Sequence, residues 1–136
     1  MARIFITGSS DGLGKMAADV LLRDGHRVIV HARSKKRLGA VRDLIDRGAV
    51  GVVGDLAVMA QVRDLATAVN ELGVPDAVIH NAGVSKGPAL VSVNIVAPYV
   101  LTALIRRPRR LIYLSSSMHT GGRARLRGID WAATPR

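Results

Sequence analysis

"RIFITGSSDGLG", residues 3–14, sets a short apolar run directly before a glycine-rich turn, and its reading decides the fold. In Arg3–Thr7 the apolar residues Ile4, Phe5 and Ile6 are unbroken, the pattern of a strand covered on both faces, as in a parallel sheet. The turn that follows, Thr7–Gly14, opens a helix. Glycines at 8, 12 and 14 permit a tight bend, close approach of backbone to a pyrophosphate, and tight packing of helix on strand. The helix N-terminus adds free N–H groups and the positive end of a dipole. By itself such a turn is only suggestive, and a glycine-rich connection that holds no ligand is the lesser alternative.

Working outward, the same strand signature recurs in "RVIVHA" (27–32), "AVGVVG" (49–54), "DAVIHN" (76–81) and "RLIYLS" (110–115). Between these runs, apolar residues fall three and four apart, which predicts helices. One carries Leu13, Ala17, Val20 and Leu21; a second Leu38, Val41, Leu44 and Ile45; a third Val58, Val62, Leu65, Val69 and Leu72. Gly25, Gly48 and Gly73 stand where these helices should end. The alternation predicts an α/β fold, a doubly wound parallel sheet of about five strands, forming one domain over 1–136. No linker, long repeat or low-complexity segment interrupts it.

Composition narrows the function classes. With 49% hydrophobic residues, 136 residues can bury a core of useful size. There is no cysteine, so disulfides, thiolate catalysis and Cys-based zinc sites are excluded. His26, His31, His80 and His119 are scattered without a metal-ligand spacing, and no metal site is expected. No apolar run is long enough to span a bilayer, and "MARIFITGSS" lacks the features of a signal peptide, which suggests a cytoplasmic protein without a membrane partner. The net charge of +10 is uneven. From Arg106 onward eight arginines face Asp130 alone, and residues 119–136 read as a basic tail. Nucleic-acid binding would need a groove-entering element or stacking aromatics. With one Trp, one Phe and two Tyr, stacking is poorly supplied, and a solvated arginine-rich surface is the preferred reading.

Five stretches taken together carry a family resemblance: "TGSSDGLG" (7–14), "GDL" (54–56), "HNAGV" (80–84), "VNIVAPY" (93–99) and "LIYLSSS" (111–117). In this order and at strand ends, they resemble the short-chain dehydrogenase/reductase family, in the N-terminal part of its domain. The resemblance implies a Rossmann-type NAD(P)-binding fold and an oxidoreductase acting on a carbonyl or alcohol substrate. It implies that Gly8, Ser10, Gly12, Leu13 and Gly14 hold the pyrophosphate and neighbouring sugar. Asp55 and Leu56 would flank the adenine, and Asn81, Ala82 and Gly83 would line the nicotinamide ribose side. Asp55 can also be read as a helix N-cap. Pro98 would kink a helix, yet the family has a proline there, so a helix is kept over the apolar positions Val93, Ala97, Val100, Leu101 and Leu104.

Charge bears on which cofactor. An acidic residue at the end of the second strand would bond the ribose 2′-hydroxyl of NAD and repel the 2′-phosphate of NADP. "HARSKKR" instead offers His31, Arg33, Ser34, Lys35 and Lys36, with no carboxylate before Asp43, and this favours NADP over NAD, with Arg33 facing the phosphate. The alternative is that Lys35, Lys36 and Arg37 form a solvated helix turn.

For catalysis, the resemblance implies a carbonyl-orienting serine, best matched by Ser116, and a supporting asparagine, matched by Asn94. It also implies a Tyr-x-x-x-Lys pair, since a phenol needs a nearby cation to act at neutral pH. No tyrosine or lysine follows Ser116, while Tyr99 and Tyr113 are followed four residues later by Ala103 and Ser117. The expectation is therefore a C-terminally truncated member whose proton donor is missing from this chain. His119 is the first candidate for a substitute. A non-catalytic dinucleotide-binding module, a remnant, and a chain completed by a partner are the alternatives. Only ten residues separate Gly83 from Asn94, fewer than in the family, which bears on the placement of Asn94. In the resembled fold further strands cover the fifth, so "RLIYLS" is expected at a sheet edge, with self-association as the consequence.

Overall fold

The computed structural model describes residues 1–123, 125, 127 and 128. The part of the basic tail at 124, 126 and 129–136 lies outside the described residues.

Among the described residues five strands, β1 (Arg3–Ile6), β2 (Arg27–Ala32), β3 (Val50–Val53), β4 (Ala77–His80) and β5 (Arg110–Tyr113), form one parallel sheet in the order β3-β2-β1-β4-β5. Each coincides with one of the apolar runs. Alternate side chains of these strands enter opposite layers. Phe5, Ile29, Val52 and Val78 join one buried cluster, together with Val62, Leu65 and Val69 of α4 (Met59–Glu71) and Ala97 and Leu101 of α5 (Ala97–Leu104). Ile4, Ile6, Val28 and Val30 join the other, with Ala18 of α1 (Gly12–Arg23) and Val41 and Leu44 beyond β2. Each fully buried large side chain contributes about 1.5–3 kcal/mol of transfer free energy, so the two layers hold the helices on both faces. This is the Rossmann-type, doubly wound α/β fold.

The glycines that end the first three helical segments, Gly25, Gly48 and Gly73, all have positive φ. The structure differs from the periodicity in three places. The predicted helix around Leu38–Ile45 is broken into α2 (Lys35–Leu38), a 3₁₀ turn (Gly39–Val41) and α3 (Arg42–Asp46). Gly39 costs about 1 kcal/mol in a helix interior relative to alanine, and burying Val41 and Leu44 together is met by the tighter turn. Leu13 and Val20 of α1, expected in the core, are 72% and 47% exposed. With Met16 they flank a groove of about 510 Å³, floored by Ile79 and Leu114, that no described element fills. The third difference is at Pro98. Lacking an N–H, it cannot bond the preceding turn, and the chain passes through one π-helical turn (Ser92–Val96) before α5 begins.

Candidate dinucleotide cleft

Strand β1 lies between β2 and β4, so the connections leave it in opposite directions and open a crevice beyond the strand ends. The crevice has two contiguous lobes that share Asn81, Ala82, Gly83 and Val84. The lobe on the β2 side, about 640 Å³, is lined by Gly8, Ser10, Gly12, Leu13, Arg33, Asp55 and Leu56 as well as the shared residues. The lobe on the β5 side, about 550 Å³, contains Asn94 and Ser116. Of the glycines of the first turn, Gly14 stands outside the crevice lining. It packs beneath it: a Cβ there would overlap the Gly8 carbonyl and the Asn81 side chain.

The turn after β1 is held from below. Thr7 Oγ1 accepts hydrogen bonds from the N–H groups of Asn81 and Ala82, each at 3.0 Å. Asn81 Nδ2 donates to the carbonyls of Thr7 at 3.1 Å and Gly8 at 3.0 Å. The Asn81 side chain thus ties the two loops together. Gly8 has a φ of 62°, and a Cβ there would come within 2.8 Å of Ala82 Cα, so only glycine lets the loops approach so closely.

His31 stands with the cations of "HARSKKR" in the sequence, but the structure gives it a different part. It is buried, its Nδ1 accepts the Gly8 N–H at 2.9 Å, and its Nε2 lies 2.7 Å from the Gly54 carbonyl. A neutral ring with the proton on Nε2 satisfies both contacts. Burial lowers its pKa from the usual histidine value, outweighing the Gly54 carbonyl bond and the Asp55 charge, which act the other way. The ring is a brace between the first turn and the end of β3. Arg33 and Arg37 supply the positive charge in this lobe, whereas Lys35 and Lys36 do not line it. Arg37 was read as part of a solvated turn, and nothing in the sequence set it apart from its lysine neighbours.

Asp55 is no N-cap: α4 starts after Val58, and Asp55 Oδ1 instead accepts the Ala57 N–H at 2.9 Å in a turn two residues long. The Asp55 N–H donates to Gln61 Oε1 at 2.8 Å, which anchors this turn on α4.

In the second lobe Asn94 is well placed despite the short connection. Its Oδ1 accepts the Val84 N–H at 2.8 Å and its Nδ2 donates to the Val84 carbonyl at 2.7 Å, so the π turn and the loop after β4 are locked together. Ser116 caps the 3₁₀ turn Ser117–Gly121, accepting the Met118 N–H at 3.2 Å. His119 Nδ1 bonds the Ser116 carbonyl, and the ring is not part of the crevice lining.

Sequence reasoning missed a second group here. Tyr113 lines the lobe, stacks on His80 with ring centroids 4.7 Å apart, and shares a 2.6 Å hydrogen bond with Thr102 Oγ1. That oxygen lies 3.2 Å from His80 Nε2. Burial lowers the His80 pKa to about 4, so the ring is neutral near pH 7 and cannot stabilise a phenolate as a cation would. The polar interruption of two apolar strands, His80 and Tyr113, was the available signal.

Residues 2–105 match the family model described as short chain dehydrogenase. An uncharacterized oxidoreductase of Emericella nidulans is 43% identical over 142 residues, covering 95% of this chain and 56% of its own length. The chain belongs to the short-chain dehydrogenase family. A second relative, the short-chain dehydrogenase chry4 of Gibberella zeae, is 41% identical over 140 residues, covering 96% of this chain and 54% of its own length. The chain therefore spans about half the length of these curated relatives. Among solved structures, a blue fluorescent protein from a metagenomic library, crystallised with NADPH, superposes with a TM-score of 0.75 at 27% identity, covering 90% of this chain and 59% of that one. Like that protein, this short-chain dehydrogenase chain is built on the doubly wound sheet. No helix among its described residues is long and apolar enough to cross a membrane.

Proposed function

We propose that this chain is the cofactor-binding portion of a short-chain oxidoreductase that takes NADP(H) and acts on a carbonyl/alcohol pair. The observation that carries the reading is the two-lobed crevice, with arginines at one end and the Asn94–Ser116 pair at the other. The residues present fit a dinucleotide. Helix α1 has no side-chain cap on its first N–H groups, and a Cβ on Gly12 would meet nothing within 4 Å, so donors face open space. Gly8, Ser10, Gly12 and Leu13 would hold the pyrophosphate and adjacent sugar, with Gly14 packing beneath. Asp55 and Leu56 would flank the adenine, and Asn81, Ala82 and Gly83 would line the nicotinamide ribose. When bound, the nicotinamide supplies hydride transfer.

The chain's own groups would then bind and orient. Arg33 would face the 2′-phosphate, a role supported by the absence of any carboxylate at the end of β2. Ser116 would present its hydroxyl to the substrate oxygen, and Asn94 would hold the loop over which the nicotinamide lies. Tyr113 lies in the same lobe, stacked on a neutral His80.

Calorimetric titration tests the cofactor assignment. NADPH should bind more tightly than NADH, and Arg33→Ala should remove most of the difference, about 1–2 kcal/mol for a lost charge-assisted contact. Equal affinities in the unaltered chain would refute it.

A further inference from the structure

Asp11 is the N-cap residue of α1, a position where aspartate ordinarily accepts an N–H of the first helical turn. Here it makes no such bond. Its carboxylate turns away, and Oδ2 lies 2.8 Å from an Nη of Arg37, across the mouth of the β2-side lobe. Arg37 is itself held at its backbone, its N–H donating to Ser34 Oγ at 3.3 Å, and it lines the lobe together with Arg33. A carboxylate is thus set between a helix N-terminus that attracts anions and one of the two arginines of the lobe. It occupies a donor face of Arg37 that a phosphate would otherwise use.

We propose that Asp11 is a specificity-determining residue that restrains Arg37, so that binding of a 2′-phosphorylated dinucleotide must exchange the carboxylate for the ligand's phosphate on that guanidinium. This rests on the cofactor reading above and deepens it. Both partners are exposed, Arg37 by 49% and Asp11 by 72% of their side chains, and such pairs are weak, so the exchange is readily reversible. The carboxylate moderates the preference for NADP(H) that the arginines create without abolishing it.

The test is a double-mutant cycle read by calorimetry with NADPH and NADH on the 136-residue chain. Asp11→Asn removes the charge, keeps the shape, and keeps a residue equally suited to begin a helix. It should tighten NADPH binding about threefold, in keeping with the strength of an exposed ion pair, and leave NADH binding unchanged. Arg37→Ala should weaken NADPH alone, and in that background Asp11→Asn should have no effect. Equal tightening of both cofactors would mean that Asp11 acts on the shared pyrophosphate and would overturn the proposal. So would a gain that survives Arg37→Ala, or weaker NADPH binding in Asp11→Asn. A preference for NADPH that depends on Arg33 while Asp11→Asn is silent sinks this inference alone. Equal binding of the two cofactors with Arg33→Ala silent sinks the cofactor reading and this inference together.

Discussion

Strands β2 and β5 are alike in sequence and opposite in surroundings. "RVIVHA" is buried at all positions after Arg27, whereas all four residues of "RLIY" in β5 are exposed. β2 pairs with β1 on one side and β3 on the other, with helices over both faces; among the described residues β5 pairs only with β4. The difference teaches that an apolar strand pattern records what a segment is suited to bury against, and that the cover has to come from elsewhere. Around β5 the uncovered apolar surface continues on one side to Leu114, Leu13, Met16 and Val20. Tyr99 and Leu104 of α5 are exposed as well.

The largest consequence is an asymmetry in stability. Leu65 is fully buried in the layer beneath β1 and β4, and Leu65→Ala should cost about 2–5 kcal/mol in urea unfolding. Leu111→Ala in β5, at a site 40% exposed, should cost less than about 1 kcal/mol. Comparable losses at the two sites would break the comparison.

A second, smaller effect concerns association. An exposed edge strand presents unpaired backbone groups that recruit another strand, and apolar side chains strengthen the pairing. Light scattering at micromolar protein should show self-association. Ile112→Lys, which places a charge on the edge, should return the chain to the monomer at little cost in stability. A concentration-independent monomer before the substitution would show that β5 is already protected.

A third effect is on pH. His80 bridges the two regions, on β4 and stacked against Tyr113 of β5, with its Nδ1 buried and unpartnered. Its pKa is about 4 in the folded chain against about 6.5 when unfolded, so the unfolded chain binds the proton first. The stability it contributes is complete above roughly pH 6.5 and is lost as pH falls toward 4. His80→Phe retains the stacking and should flatten this part of the acid limb. An unchanged acid limb would place the dependence elsewhere, with His31 the next buried ring of lowered pKa.

Most of the architecture could be read before any coordinates, because parallel strands buried on both faces leave continuous Val and Ile runs and glycines mark the helix ends. The failures have specific causes. Leu13 and Val20 carry the helical period of a core face, but period cannot say whether a neighbour is present to cover it. The segment after β2 keeps its apolar spacing while Gly39 breaks the helix. The glycine turn, Asn81, Asn94 and Ser116, which the structure brings to the crevice, are conspicuous in the sequence because they sit in motifs. The His31 brace, the Asp11–Arg37 pair and the His80–Thr102–Tyr113 group depend on contacts between residues 11 to 33 positions apart, which no local pattern records.

If the crevice along the strand ends holds a dinucleotide, the amide chemical shifts of the isotope-labelled chain should change saturably on titration with NADPH at Gly8–Gly14, Arg33, Arg37, Asp55 and Asn81–Gly83, with the far ends of β1 and β2, at Arg3 and Arg27, unmoved. Shifts confined to the exposed face around β5, or no saturation at millimolar NADPH (roughly −4 kcal/mol of binding free energy), would contradict it.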